Sequence, residues 1–109
     1  MTRLFSEENG HVKTDFGRYH AKKILGLLFH YGYIPDTVAP DGEELDAYVL
    51  GVSVPIKEFT GRCIALIHRT IDNEDKLVVA PENAEFSDEE VRALTRFPEI
   101  YFDSIIIRE

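Results

Sequence analysis

The sequence predicts a mainly β domain of the α+β class: a small barrel-like fold of short strands, with one helix near the C-terminus packed on it. Three patterns carry this prediction. The apolar runs are short and bounded by Gly, Pro, Asn and Asp, which punctuate strands more than long helices. The clearest run, Gly61 to Arg69, alternates, with Ile64, Leu66 and His68 on one face and Cys63, Ala65 and Ile67 on the other. One segment has the marks of a helix start. Ser87 is followed three residues later by Glu90, a capping box, and Asp88 and Glu89 suit the positive end of a helix dipole.

Residues 1–10 are polar and read as a flexible N-terminus ahead of a single domain spanning 11–109. Ile24 to Tyr33 is apolar and aromatic but interrupted by Gly26 and Gly32, which suits extended chain. Pro35 to Gly42 is a loop of turn formers. Ala47 to Val54 reads as a strand closed by Pro55, and Lys76 to Ala80 as another, with an acidic turn at Ile71 to Asp75. After Ser87, the spacing of Val91, Leu94 and Thr95 is helical, and Pro98 kinks or ends the helix. Tyr101 and Phe102 fit a second helical turn. Ser104 to Ile107 is a final short strand, with Ile105 to Ile107 as an edge or an oligomer contact. Leu25, Leu27, Leu28, Phe29, Phe59, Phe86 and Phe97 are expected in the core.

At 109 residues and 44% hydrophobic content, the chain can build one core. Its formal charge of −8 argues against a nucleic-acid partner, which requires cations facing phosphates. An acidic protein that handles phosphate needs something to reverse the local sign, and a divalent cation does so most directly. The single cysteine, Cys63, cannot form an internal disulfide and reads as inert packing. Residues 1–10 lack a basic region followed by an apolar run, and Ile24 to Phe29 is too short to span a bilayer. A cytoplasmic protein without membrane contact is the expectation.

The chemically informative stretch is Asp41-Gly42-Glu43-Glu44-Leu45-Asp46-Ala47-Tyr48. Carboxylates at 41, 43 and 46 can converge where the chain turns, with Gly42 permitting the bend, and such an oxygen-only set suits Mg²⁺. Asp72-Asn73-Glu74-Asp75 is a second acidic group that would join the first at one barrel rim if their strands are neighbours. Each group alone also reads as solvated surface or as a hairpin turn. The four histidines, His11, His20, His30 and His68, lack the spacing of a zinc pair. His68 reads as a half-buried or surface residue and His20 as a candidate neighbour of phosphate.

His30-Tyr31-Gly32-Tyr33-Ile34-Pro35, then five residues, then Asp41-Gly42-Glu43-Glu44-Leu45-Asp46, resembles the signature region of soluble inorganic pyrophosphatases. Gly61 to Leu66 and Asp72 to Ala80 resemble the family segments that follow, so the likeness runs from about Tyr19 to Phe102. It implies a short, single-domain branch of the family, an OB-like closed five-stranded barrel with outer helices, and hydrolysis of pyrophosphate with several Mg²⁺ ions, or Mn²⁺ in their place. By position it implies Asp41, Glu43, Asp46, Asp72 and Glu74 as metal ligands, with Asp46 shared between two metals. Glu43 would help deprotonate the attacking water. Tyr31 and Tyr101 would touch phosphate or its water, and Lys76 would neutralise a phosphate oxygen. His30, where the family has asparagine, would be a polar rim residue.

The chain also departs from the family. Glu43 stands where the family has Asp, and Phe102 where it has a phosphate-binding lysine. The 71–75 loop is short, and the family's N-terminal Lys, Glu and Arg have no aligned partner, although Arg18, Lys22 and Lys23 supply charge nearby. Two alternatives to pyrophosphatase therefore stand beside it: hydrolysis of another phosphoanhydride, a nucleotide or a polyphosphate, and a non-catalytic metal- or phosphate-binding module on the same scaffold. A homo-oligomer is compatible with all three.

Overall fold

The computed structural model describes residues 5–8, 11–14, 17–22, 30–38, 42–71, 74–96 and 103–108. Among the described residues, eight strands and one helix follow in the order β1 (Phe5–Glu8), β2 (His11–Thr14), β3 (Arg18–Lys22), β4 (His30–Ile34), β5 (Leu45–Val49), β6 (Glu58–Arg69), β7 (Asp75–Ala80), α1 (Asp88–Leu94) and β8 (Ser104–Ile107). β1 and β2 pair antiparallel, a hairpin absent from the sequence-based expectation. The other six strands run in the order β3-β4-β5-β7-β6-β8, and β3 also pairs with β6. That pairing closes β3, β4, β5, β7 and β6 into a five-stranded barrel and leaves β8 on the far half of β6. β5 and β7 are parallel, and the other pairs are antiparallel.

Alternation sorts the strands into two apolar layers. Tyr19, Ala21, Ile34, Leu45, Ala47, Val49, Cys63, Leu66, Leu77 and Val79 come from all five barrel strands and fill its interior. Tyr48, Leu50, Ile64, Ala65, Ile67, Val78 and Ala80 point outward and pack with Val91 of α1, with half-buried Phe86 and Ile106 beside them. Phe59 packs against the interior cluster. Leu25, Leu27, Leu28, Phe29 and Phe97 lie outside the described residues.

Three sequence readings are corrected. Cys63 shares the interior with Leu66, while Ile64 and Ala65 both face outward, so strict alternation fails in β6. The cause is a bulge between Cys63 and Ala65, where two residues of β6 oppose one stretch of β7 and the faces exchange. β5 ends at Val49 rather than at Val54, because Leu50 N–H donates to Val79 O and Gly51 then turns the chain at φ +84°. His30 is not a rim residue. It is 2% exposed, on the inward face of β4, and its Nε2 lies 2.9 Å from Val52 O.

α1 begins as its sequence prescribes. Glu90 N–H donates to Ser87 Oγ (3.1 Å) and Ser87 N–H donates to Glu90 Oε1 (2.9 Å), a complete capping box. Arg108 fastens this end to the barrel by donating to Asp88 Oδ1, Phe86 O and Ile64 O. Ser87→Ala removes one of the two capping bonds and is expected to lower stability by about 1 kcal/mol in urea denaturation, with an unchanged m-value. Among the described residues no helix is long and apolar enough to cross a membrane.

Candidate active site

The outer face of β4, β5 and β7 gathers four of the polar residues that the sequence singled out: Tyr31, Asp46, Lys76 and, just ahead of β7, Glu74. In β5, Leu45 and Ala47 point into the barrel, so Asp46 and Tyr48 point out. In β4 the same logic turns Tyr31 and Tyr33 outward. Register then sets Tyr33 opposite Asp46 and Asp46 opposite Lys76, and sets Tyr31 opposite Tyr48. Residues directly opposite on adjacent strands share a face, so these side chains meet.

Lys76 is the hub. Its side chain is 5% exposed, and its Nζ donates to Tyr31 Oη (3.0 Å) and Asp46 Oδ2 (3.2 Å), with Glu74 Oε2 at 3.9 Å. A buried ammonium is costly unless surrounded by acceptors, and these three groups surround it. Nζ also lies 5.1 Å from the Tyr31 ring centroid, much farther than from the hydroxyl, so the hydrogen bond is the dominant contact. Arg69 donates to the same Glu74 oxygen at 3.0 Å. Tyr48, 1% exposed, supports the Tyr31 ring from below, with centroids 5.2 Å apart and planes tilted by 54°.

The Tyr31 hydroxyl is held well above the ordinary phenol range. Burial is the largest cause, followed by its hydrogen bond to Asp46 and the negative charges of Asp46 and Glu74. The folded state therefore keeps a proton that the unfolded state loses near pH 10. This group's contribution to stability is complete below that pH and is lost as pH rises further. Alkaline difference absorbance is expected to show a late tyrosine step in the wild type that is missing in Tyr31→Phe, and superimposable traces in the ordinary range.

The loop that precedes β5 is pinned at its mouth. Thr37 Oγ1 donates to Ile34 O (2.6 Å) and accepts from Leu45 N–H (2.9 Å). Gly42 takes φ +87°, a conformation that glycine adopts without a steric penalty. Glu43 is exposed on this loop. The structure thus brings Tyr31, Asp46, Glu74 and Lys76 together and leaves Glu43 on the loop above. Asp41, Asp72, Tyr101 and Phe102 lie outside the described residues. Among the described residues, no three of His, Cys, Asp and Glu converge into a metal-holding group. Physically, Lys76 occupies the space between Asp46 and Glu74. Both carboxylates remain partly open to solvent, at 40% and 43% exposure, and offer only oxygen donors, the chemistry that a hard divalent ion takes.

Two supporting residues were not read from the sequence, Tyr48 beneath Tyr31 and Arg69 behind Glu74. The signal for Tyr48 was its spacing of two from Asp46, which puts both on one face of a strand. Arg69 required the β6–β7 pairing. His68, half-buried, meets Asp75 (Nδ1 to Oδ1, 2.5 Å). His20 meets Thr60 Oγ1 at 2.6 Å, on β3. A cavity of about 690 Å³ bordered by Arg62, Cys63, Phe86, Ser87 and Arg108 lies elsewhere, since Arg62 pairs with Ala80, at the opposite end of β7 from Lys76.

A closed five-stranded barrel bearing a Tyr–Asp–Lys–Glu cluster on its outer face defines the class. The chain belongs to the inorganic pyrophosphatase family, whose sequence pattern it matches over residues 5–106. No curated protein sequence matches it. Among solved structures, it is similar to inorganic pyrophosphatase from Ehrlichia chaffeensis, with TM-score 0.59 and 18% identity over 77% of this chain and 63% of that one. It is similar also to inorganic pyrophosphatase from Helicobacter pylori, with TM-score 0.53 and 18% identity over 77% of this chain and 62% of that one. A third structure, described as inorganic phosphatase from Anaplasma phagocytophilum, has TM-score 0.50 and 17% identity over 95% of this chain and 72% of that one. These likenesses show the fold. The chain spans less than two thirds of the length of the first two structures.

Proposed function

We propose that the protein hydrolyses inorganic pyrophosphate to two phosphates, using divalent metal ions held at the outer face of β5 and β7. The observation that carries this reading is the cluster of Tyr31, Asp46, Glu74 and Lys76, assembled across three strands and open to solvent at its carboxylates. Asp41, Glu43, Asp46, Asp72 and Glu74 are the proposed ligands, and Mg²⁺ or Mn²⁺ suits their oxygen donors. Such an ion supplies positive charge to the phosphates and lowers the pKa of a bound water. The domain that does this spans 11–109 in our reading, in the cytoplasm.

The chain's own groups have definite tasks. Lys76 holds Asp46 and Tyr31 in one geometry and offsets the charge of Asp46 and Glu74. The protonated Tyr31 hydroxyl donates to Asp46 and fixes which way that carboxylate points. Glu43 accepts the proton of the attacking water. The water oxygen bonds to one phosphorus, the bond from that phosphorus to the bridging oxygen breaks, and the bridging oxygen leaves with the second phosphate. Tyr101 is the proposed contact to phosphate from the C-terminal side.

Phosphate release from pyrophosphate, measured with Mg²⁺, with Mn²⁺ and with chelator, tests the reading. Metal-stimulated release that chelator abolishes is the expected result. A parallel panel of nucleoside triphosphate and polyphosphate separates the pyrophosphatase from a hydrolase of larger phosphoanhydrides. Binding of phosphate without any turnover would instead make the protein a binding module.

A further inference from the structure

We propose that Lys22, on β3, is a substrate-phosphate-binding residue of this site. The inference rests on the proposed function and deepens it. β3 alternates, with Tyr19 and Ala21 inside the barrel and Arg18, His20 and Lys22 outside. Lys22 is opposite Tyr33, Tyr33 opposite Asp46, and Asp46 opposite Lys76. The four residues therefore form one row across the outer face. Strands are about 4.8 Å apart, so Lys22 starts about 10 Å from Asp46, and its flexible four-carbon arm can extend over Tyr33 toward the carboxylate.

The cations of the cluster and the other basic residues of β3 are committed. Lys76 is buried and spans Asp46, Tyr31 and Glu74. Arg69 is 11% exposed and bonded to Glu74. Arg18 pairs with Glu82 at 2.6 Å, and His20 bonds to Thr60. On its β6 side Lys22 is level with Glu58, whose carboxylate lies 3.4 Å from His20 Nε2. Among the described residues, Lys22 is an exposed cation with no ion pair or side-chain hydrogen bond, and it is the outward β3 residue level with Asp46 and Lys76. In a chain of net charge −8, an uncommitted ammonium beside an acidic cluster is where a phosphate oxygen gains the most.

The test compares wild type, Lys22→Gln, Lys22→Arg and the surface control Lys57→Gln, reading pyrophosphate turnover and, separately, calorimetric binding of inorganic phosphate with Mg²⁺. Lys22→Gln is expected to raise KM and weaken phosphate binding about tenfold with kcat changed less than twofold, the size of one exposed charge-assisted contact. Lys22→Arg is expected to restore most of the loss, and Lys57→Gln to match wild type. Weakened phosphate binding in Lys22→Gln alone, in a protein that does not turn over pyrophosphate, would uphold the Lys22 site and reject the hydrolysis. Equal binding by wild type and Lys22→Gln, equal losses in Lys22→Gln and Lys57→Gln, or no phosphate binding by wild type would each overturn the proposal.

Discussion

Asp46→Asn is expected to reduce metal-stimulated phosphate release by about 100-fold or more, with the fold retained. The substitution keeps the size of the side chain and removes its charge. Asp46 is a proposed metal ligand, and it is also the acceptor that Lys76 meets at 3.2 Å and that the Tyr31 hydroxyl bonds. Loss of a ligand carboxylate weakens metal binding and leaves Lys76 with Glu74, at 3.9 Å, as its remaining acid. Because the Asp46 side chain is 40% exposed, the stability lost with the ion pair is small, about 1 kcal/mol or less. Activity and stability are thus expected to separate. Near-native circular dichroism and denaturation midpoint should accompany a collapsed turnover that extra Mg²⁺ only partly restores. Full turnover in Asp46→Asn would remove Asp46 from the metal site.

Gly61→Ala is expected to cost about 3 kcal/mol, at the upper end of the penalty for overpacking, and to lower Tm by roughly 10 °C or more. Gly61 is buried in β6 where the barrel closes, opposite Tyr19 of β3 and beside Ala80 of β7. A methyl group there would overlap the carbonyl oxygen of Ala80 and the ring of Phe59. The ring can move, but the carbonyl belongs to a paired strand, so relief requires β6 to shift against β7. Thermal and urea unfolding of the purified variant would measure this. A variant as stable as wild type would mean that the seam between β3, β6 and β7 has slack that the packing does not suggest. Gly51 also faces neighbouring side chains, Pro81 and Phe86, but no backbone obstructs it.

Several parts of this molecule were legible because their causes are local. The capping box is made by Ser87 and Glu90, three residues apart, and it starts α1 where expected. The Lys-Leu-Val-Val-Ala run is buried because β7 has the outer layer on one face and the barrel interior on the other. The turn at Gly42 and the strand at Ser104–Ile107 also follow from nearby residues. Alternation alone puts Asp46 and Tyr48 on one face of β5, and burial of Leu45 and Ala47 in the barrel makes that face the outer one.

What only the tertiary structure decided involves residues far apart in the chain. Lys76 meets Tyr31 across 45 positions and Asp46 across 30, through a parallel pairing of β5 with β7 that no local pattern specifies. The β6 bulge exchanged the faces of Cys63 and Ile64, because register there is set by β7 and not by the alternation of β6 itself. His30 went into the barrel and Lys22 into the row of the site for the same reason. From the sequence came α1 and the strands from β4 onward, the acidic and aromatic groups and the family they resemble, but not β1, β2 or β3. The partner of each polar side chain was set by barrel closure, since a one-residue change of register would move every one of them to the opposite face.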